Sequence, residues 1–131
     1  MSGRTARHES DRVRRGEEGS VTVLVAAVLF LACALSLVSV DLLRALQAKS
    51  QAQTAADAAA LAAARELALA TDQAPQAAAD YALRNGGTLV SCQCSPGTYE
   101  AIVDVEVPVD LVFVGSDRTV HARARAVVDF G

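Results

Sequence analysis

Aromatic side chains are scarce in this sequence: they make up 4% of 131 residues, and tryptophan is absent. Any core must be built from aliphatic side chains, and alanine alone supplies roughly a fifth of the chain. A surplus of one charge sign is also lacking, with 12 basic residues against 15 acidic ones and a net charge of −3. Without a basic excess to neutralise phosphates, no nucleic-acid partner is expected. Three cysteines are too few for a disulfide framework, and none stands at zinc-site spacing to either histidine. There is no G-x-S-x-G, no glycine-rich phosphate loop and no H-E-x-x-H. The sequence therefore predicts no enzyme, no metal, no cofactor and no small-molecule substrate. What the chain does not lack is apolar content. At 52% hydrophobic it is excluded from the disordered class, and its length suits one small domain.

Much of that apolar content is concentrated in one place. From Val21 to Val40 runs VTVLVAAVLFLACALSLVSV, twenty residues without a charge. As a helix it spans ~30 Å, the thickness of a bilayer's hydrocarbon core. Its polar members Thr22, Ser36 and Ser39 carry hydroxyls that can bond back to helix carbonyls. A buried core helix is the competing reading, but little more than a hundred other residues would have to wrap it on every side. Arg4, Arg7, Arg12, Arg14 and Arg15 precede the segment, and Arg44 and Lys49 follow it at comparable distance. This asymmetry predicts a cytoplasmic leader over residues 1–20, a single span over 21–40 and an extracytoplasmic remainder. A cleaved signal peptide is the alternative. Its A-x-A site, Ala32-Cys33-Ala34, lies inside the apolar run and leaves Leu35 to Val40 hydrophobic beyond it. That reading gives an exported soluble binding protein released near Ala34.

No proline or glycine occurs from Ser20 to Ala74, and RALQAKSQAQTAADAAALAAARELALA is rich in strong helix formers. One helix is predicted from near Val21 to about Ala70, its portion over 41–72 forming an Ala-rich stalk. Leu42, Leu46, Ala56, Ala60, Ala63, Leu67 and Ala70 fall near one stripe that permits close approach of a helix or sheet. Over 73–131 a second helix is predicted from Gln73 to Asn85, capped by Asp72 and stopped by Asn85-Gly86-Gly87. Ala74, Ala78, Tyr81 and Ala82 share one of its sides. The period then changes to two. Thr88 to Gln93 reads as a strand, Val103 to Leu111 alternates with Asp104, Glu106, Pro108 and Asp110, and Arg118 to Val128 alternates with His121, Arg123 and Arg125. Ser95-Pro96-Gly97 and Gly115-Ser116-Asp117 read as the turns between them. Pro108 predicts an edge position or a strand end. The fold class is thus α+β: a long membrane-plus-stalk helix, a short helix and an antiparallel sheet of about three strands.

Cys92-Gln93-Cys94 is the one feature with redox or metal chemistry in reach. On a regular strand the two Cα atoms stand ~7 Å apart, too far for easy bridging, whereas a tight turn brings them close enough. An intrachain or intermolecular disulfide comes first, a pair of free buried thiols second, and a metal or catalytic role is the small remainder. Cys33 reads as a small packing residue. Thr22, Ala26, Cys33 and Ser36 lie near one face of the span, where small side chains admit another transmembrane helix.

The arginine-rich leader followed by Gly19-Ser20-Val21-Thr22-Val23 resembles the N-terminus of TadE/TadG-type proteins, minor pilin-like components of Flp (tight-adherence) pilus assembly. Gln51-Ala52-Gln53-Thr54-Ala55-Ala56-Asp57 with the alanines after it is similar to the actinobacterial, secretion-linked branch, as is Gly86-Gly87-Thr88-Leu89-Val90-Ser91-Cys92. The resemblance covers about Gly16 to Val128. It implies cleavage after Gly19 or Gly16 and a glutamate at the fifth mature position, where this sequence has Leu24 or Val21 instead. It further implies a non-enzymatic accessory whose partners are the bilayer and other pilin-like or secretion-system membrane proteins. In that role Ala56, Ala60, Ala63 and Leu67 would form the stalk interface.

Overall fold

The computed structural model describes residues 4–112 and 118–129, with side chains from Gly19 onward. Five elements follow in order: α1 (Arg4–Ala68), α2 (Ala74–Arg84), β1 (Thr88–Gln93), β2 (Glu100–Val109) and β3 (Arg118–Val127). The chain divides into two compact units, Met1–Ser39 and Val40–Gly131. The α+β class and the three-stranded antiparallel sheet are as the sequence predicts.

In the first unit α1 begins at Arg4 rather than near Val21, so the leader's described backbone is helical. Residues 4–20 contain no proline and are rich in arginine and glutamate, which favour helix; Gly16 and Gly19 weaken it without breaking it. From Val21 to Ser39 every side chain except half-buried Ala34 is exposed.

The second unit is a two-layer sandwich in which the C-terminal half of α1, together with α2, covers one face of the sheet. Ala55, Ala56, Ala59, Ala60, Ala63 and Ala64 of α1 meet Ala74, Ala78 and Ala82 of α2 and Val103 and Val105 of β2. Nearer the start of the unit, Ala48 and Ala52 pack on Val107 and Val109. Alanine contributes little burial per residue but lets backbones approach closely, and this core depends on that closeness. Leu42, Leu46 and Ala70, expected on the buried stripe, are exposed instead. Burial starts with Asp41 and Ala48 and ends at Leu67, and the outer residues of the stripe lie beyond what covers α1.

Both helix ends are closed by backbone geometry. After α1, Ala70 N–H bonds Leu67 C=O and Thr71 N–H bonds Glu66 C=O, with Ala70 in the left-handed region at φ +54°. After α2, Gly86 and Gly87 donate to Leu83 and Ala82 in the same pattern, with Gly86 at φ +77°. These are Schellman closures. Asp72 is not the N-cap of α2. Gln73 holds that position and makes no side-chain capping bond, while Pro75 pre-sets the first turn. Tyr81 leaves the buried side of α2 and lies under the Arg84 guanidinium, 5.4 Å from the ring centre.

The sheet order is β1-β2-β3. β2 is therefore central, although it contains Pro108. Its pairing with β1 stops at Thr88↔Glu106, which leaves β2 locally an edge on that side before it ends at Val109. β1 carries a bulge between Leu89 and Ser91, so Leu89 and Cys92 both pack inward while Val90 is exposed. The expected turn at Gly115-Ser116-Asp117 lies outside the described residues.

Candidate functional site

Two surfaces and one cross-link contain the residues singled out above. The first surface is the apolar stretch of α1, which is long and apolar enough to cross a membrane and has none of its length buried in the chain's own fold. Thr22, Ala26, Cys33 and Ser36 fall within about 80° of arc at 100° per residue, and all four are exposed. Ser36 Oγ donates to the Ala32 carbonyl and Ser39 Oγ to the Leu35 carbonyl, each at 2.8 Å. Hydroxyls satisfied within the helix do not oppose a lipid environment. Gly19 and Gly16 both lie in the helical backbone, so a peptidase cutting after either must first open a turn.

The second surface is the alanine face. Ala56, Ala60, Ala63 and Leu67 are brought together, but inside the chain's own core, 0–8% exposed. The helix that approaches them is α2 and the sheet is the chain's own, so these four are closed to an outside partner. This corrects the expectation of a free stalk interface. Residues 41–72 and the sheet that follows belong to one compact unit.

Cys92 and Cys94 are joined in a disulfide with their Cα atoms 5.4 Å apart. β1 ends at Gln93, and Cys94 sits past the strand, buried against the core. The departure from strand geometry supplies the shortened distance.

On the outer face of the sheet the acidic positions of β2 meet the basic positions of β3. Arg123 donates to Asp104 through Nε at 2.7 Å and Nη2 at 2.9 Å, and Ser91 Oγ donates to the same carboxylate at 2.8 Å. The Arg123 hydrogen bonds, then that from Ser91, lower the Asp104 pKa to about 2. Arg125 pairs with Glu100, and exposed His121 stands opposite Glu106. This face is solvated and charge-matched.

Sequence reasoning missed two positions. Asp41, the first charge after the apolar run, is buried, and its Oδ1 accepts the Val112 N–H at 3.0 Å. The signal was present, since Asp41 precedes Ala48, Ala52, Ala55 and Ala59 at spacings that keep one helix face. Gly87 is the other. A Cβ there would stand 2.5 Å from Val105 Cγ1 and 3.0 Å from Ala55 Cβ.

Residues 19–66 match the Tad family model, described as putative Flp pilus-assembly TadE/G-like. The match takes in a little over a third of the chain, all of it on α1. It runs through the exposed apolar stretch and most of the alanine face. The resemblance expected at Gly86–Cys92 lies outside the matched range. No curated protein and no solved structure matches the chain.

Proposed function

We propose that this chain is a non-enzymatic, single-pass accessory of a Tad/Flp-type pilus or secretion machine, minor-pilin-like in build. The leader lies in the cytoplasm, residues 21–40 lie in the bilayer, and the α+β unit lies outside. The observation that carries this reading is the TadE/G-like match over residues 19–66, which takes in an apolar stretch that the described residues leave uncovered. The arginine excess before the span supports the orientation. With the alanine face occupied internally, lateral contacts with partner membrane proteins fall to the face of Thr22, Ala26, Cys33 and Ser36.

The N-terminal sequence and intact mass of the chain recovered from carbonate-washed membranes test this. A start at Ser20 or Glu17 with the apolar helix retained supports pilin-type processing, even though Leu24 or Val21 stands where the family has glutamate. An uncut chain makes it a fixed assembly factor. A mature chain starting near Leu35 and free of membranes overturns the proposal in favour of an exported soluble binding protein. The assembly role itself is tested by Ala26→Phe, which is expected to lose co-purifying pilus-assembly proteins while remaining inserted. Unchanged recovery would count against it.

A further inference from the structure

Asp41 follows twenty uncharged residues, and among the described residues it is the charged side chain that is buried. Its bond from Val112 N–H draws the segment after β2 onto the first turn of the second unit. Leu111 turns inward there, half-buried against Ala48, Ala52, Val107 and Val109. Arg44, the nearest cation on the helix, reaches the Asp110 carbonyl at 3.4 Å. Asp41 and Arg44 are thus directed onto backbone partners of the same unit, and large aliphatic side chains are left facing out beside the exposed Asp110. Leu42, Leu43, Leu46 and Val112 are each 56–65% exposed. At helical spacing the three leucines turn away from the face shared by Asp41, Ala48 and Ala52.

Exposed aliphatics scattered singly are ordinary on a protein surface. These four are not scattered. They gather at one end of the unit, directly after the apolar run in sequence or next to its first turn; Asp41 among them is covered, and the exposed Asp110 is free to stay at the polar level. A bare carboxylate would resist apposition to hydrocarbon, and a covered one does not. Arg44 can lay its aliphatic stem along such a boundary and keep its guanidinium at the polar level.

We propose that this end of the domain rests in the bilayer interface, with Leu42, Leu43, Leu46 and Val112 in contact with lipid. Membrane contact then extends about six residues past Val40 and includes a second segment, after β2, some seventy residues further along the chain. The occupant of the surface is lipid, because Leu42, Leu43 and Leu46 follow directly in sequence on the uncharged run that ends at Val40. The inference rests on the membrane-anchored reading above.

The test uses the full chain with Cys33→Ser and the Cys92–Cys94 disulfide kept oxidised, in phosphatidylcholine/phosphatidylglycerol vesicles. Single cysteines replace Val112, Leu46, Phe30 and Leu69 and carry an environment-sensitive fluorophore. Val112→Cys preserves the backbone N–H that Asp41 accepts. Leu69, 62% exposed at the opposite end of α1's buried stretch, is the apolar control. Nitroxide lipids labelled near the headgroup are expected to quench roughly half of the emission at positions 112 and 46, consistent with a depth of ~5–10 Å, and to leave position 69 unaffected. A deep nitroxide is expected to quench position 30. Quenching at position 30 with none at 112 and 46 overturns this inference and leaves the anchor intact. A blue-shifted but unquenched signal at 112 also overturns it, since a second copy then covers the surface. Loss of quenching at position 30 overturns the anchored reading itself.

Discussion

Three single residues carry distinct physical burdens. Ala70 occupies a left-handed closure that glycine fills at lower cost, as Gly86 does after α2. Ala70→Gly is expected to raise unfolding stability by about 0.5–1 kcal/mol in a denaturant titration of the detergent-solubilised chain. Gly87 carries the opposite constraint: it has no unusual φ, but Val105 and Ala55 leave no room for a methyl group. Gly87→Ala is expected to cost about 1–3 kcal/mol in the same titration. Asp104 carries an electrostatic burden. Its folded pKa lies near 2 against an ordinary 3.8, so its contribution is complete above that ordinary value and is lost as pH falls towards 2. Wild type should lose stability over that interval relative to Asp104→Asn. Parallel pH profiles of the two would remove Arg123 and Ser91 as the cause.

At the scale of elements, α1 does two jobs with two kinds of surface. Its early part shows large aliphatics to the outside, and its later part hides alanines inside. Ala26→Leu and Ala60→Leu, chemically the same change, are therefore expected to act differently. The first leaves the fold of residues 40–131 intact. The second overfills a position 1% exposed and should destabilise that unit by about 1–3 kcal/mol, read as a lowered denaturation midpoint. An equal shift for both variants would contradict this division of α1. The alternation of Val103, Val105, Val107 and Val109 with polar residues made the sheet legible, as the run from Val21 to Val40 did the span. The alanine helix was legible as a helix but not in its partners. Alanine has too little shape to say whether α2, a sheet or another chain will cover it, and its spacing fits all three. Asp41 lies on the alanine face by its helical spacing, but its partner, the Val112 N–H, and the crowding at Gly87 depend on contacts between segments far apart in sequence, which no local period encodes. The Cys92–Cys94 bridge was left open for a similar reason: its distance depends on where β1 stops, and Gln93 carries no mark of a strand end.

At the scale of the whole molecule, the redox state of that bridge follows the compartment. If the unit is exported, maleimide labelling under denaturing conditions without reductant should modify Cys33 alone, and reductant should add Cys92 and Cys94. Labelling of all three without reductant would place the unit in a reducing compartment or leave the bridge unformed in the cell. Among the described residues, with charges shared on the outer sheet face and the alanine face buried, the span and the leucines after it form the longest exposed apolar stretch of α1.

The order of the elements also sets a schedule. Every strand that covers the alanine face lies after it in the chain, so the face is made first and waits for its cover. At 5–20 residues per second, roughly 3–12 s separate the synthesis of Leu67 from that of Val127. Leucine or valine in those positions would hold a broad sticky surface open throughout that interval. Alanine holds open very little. The composition that makes the finished core thin is the one that lets its first half wait safely for the second.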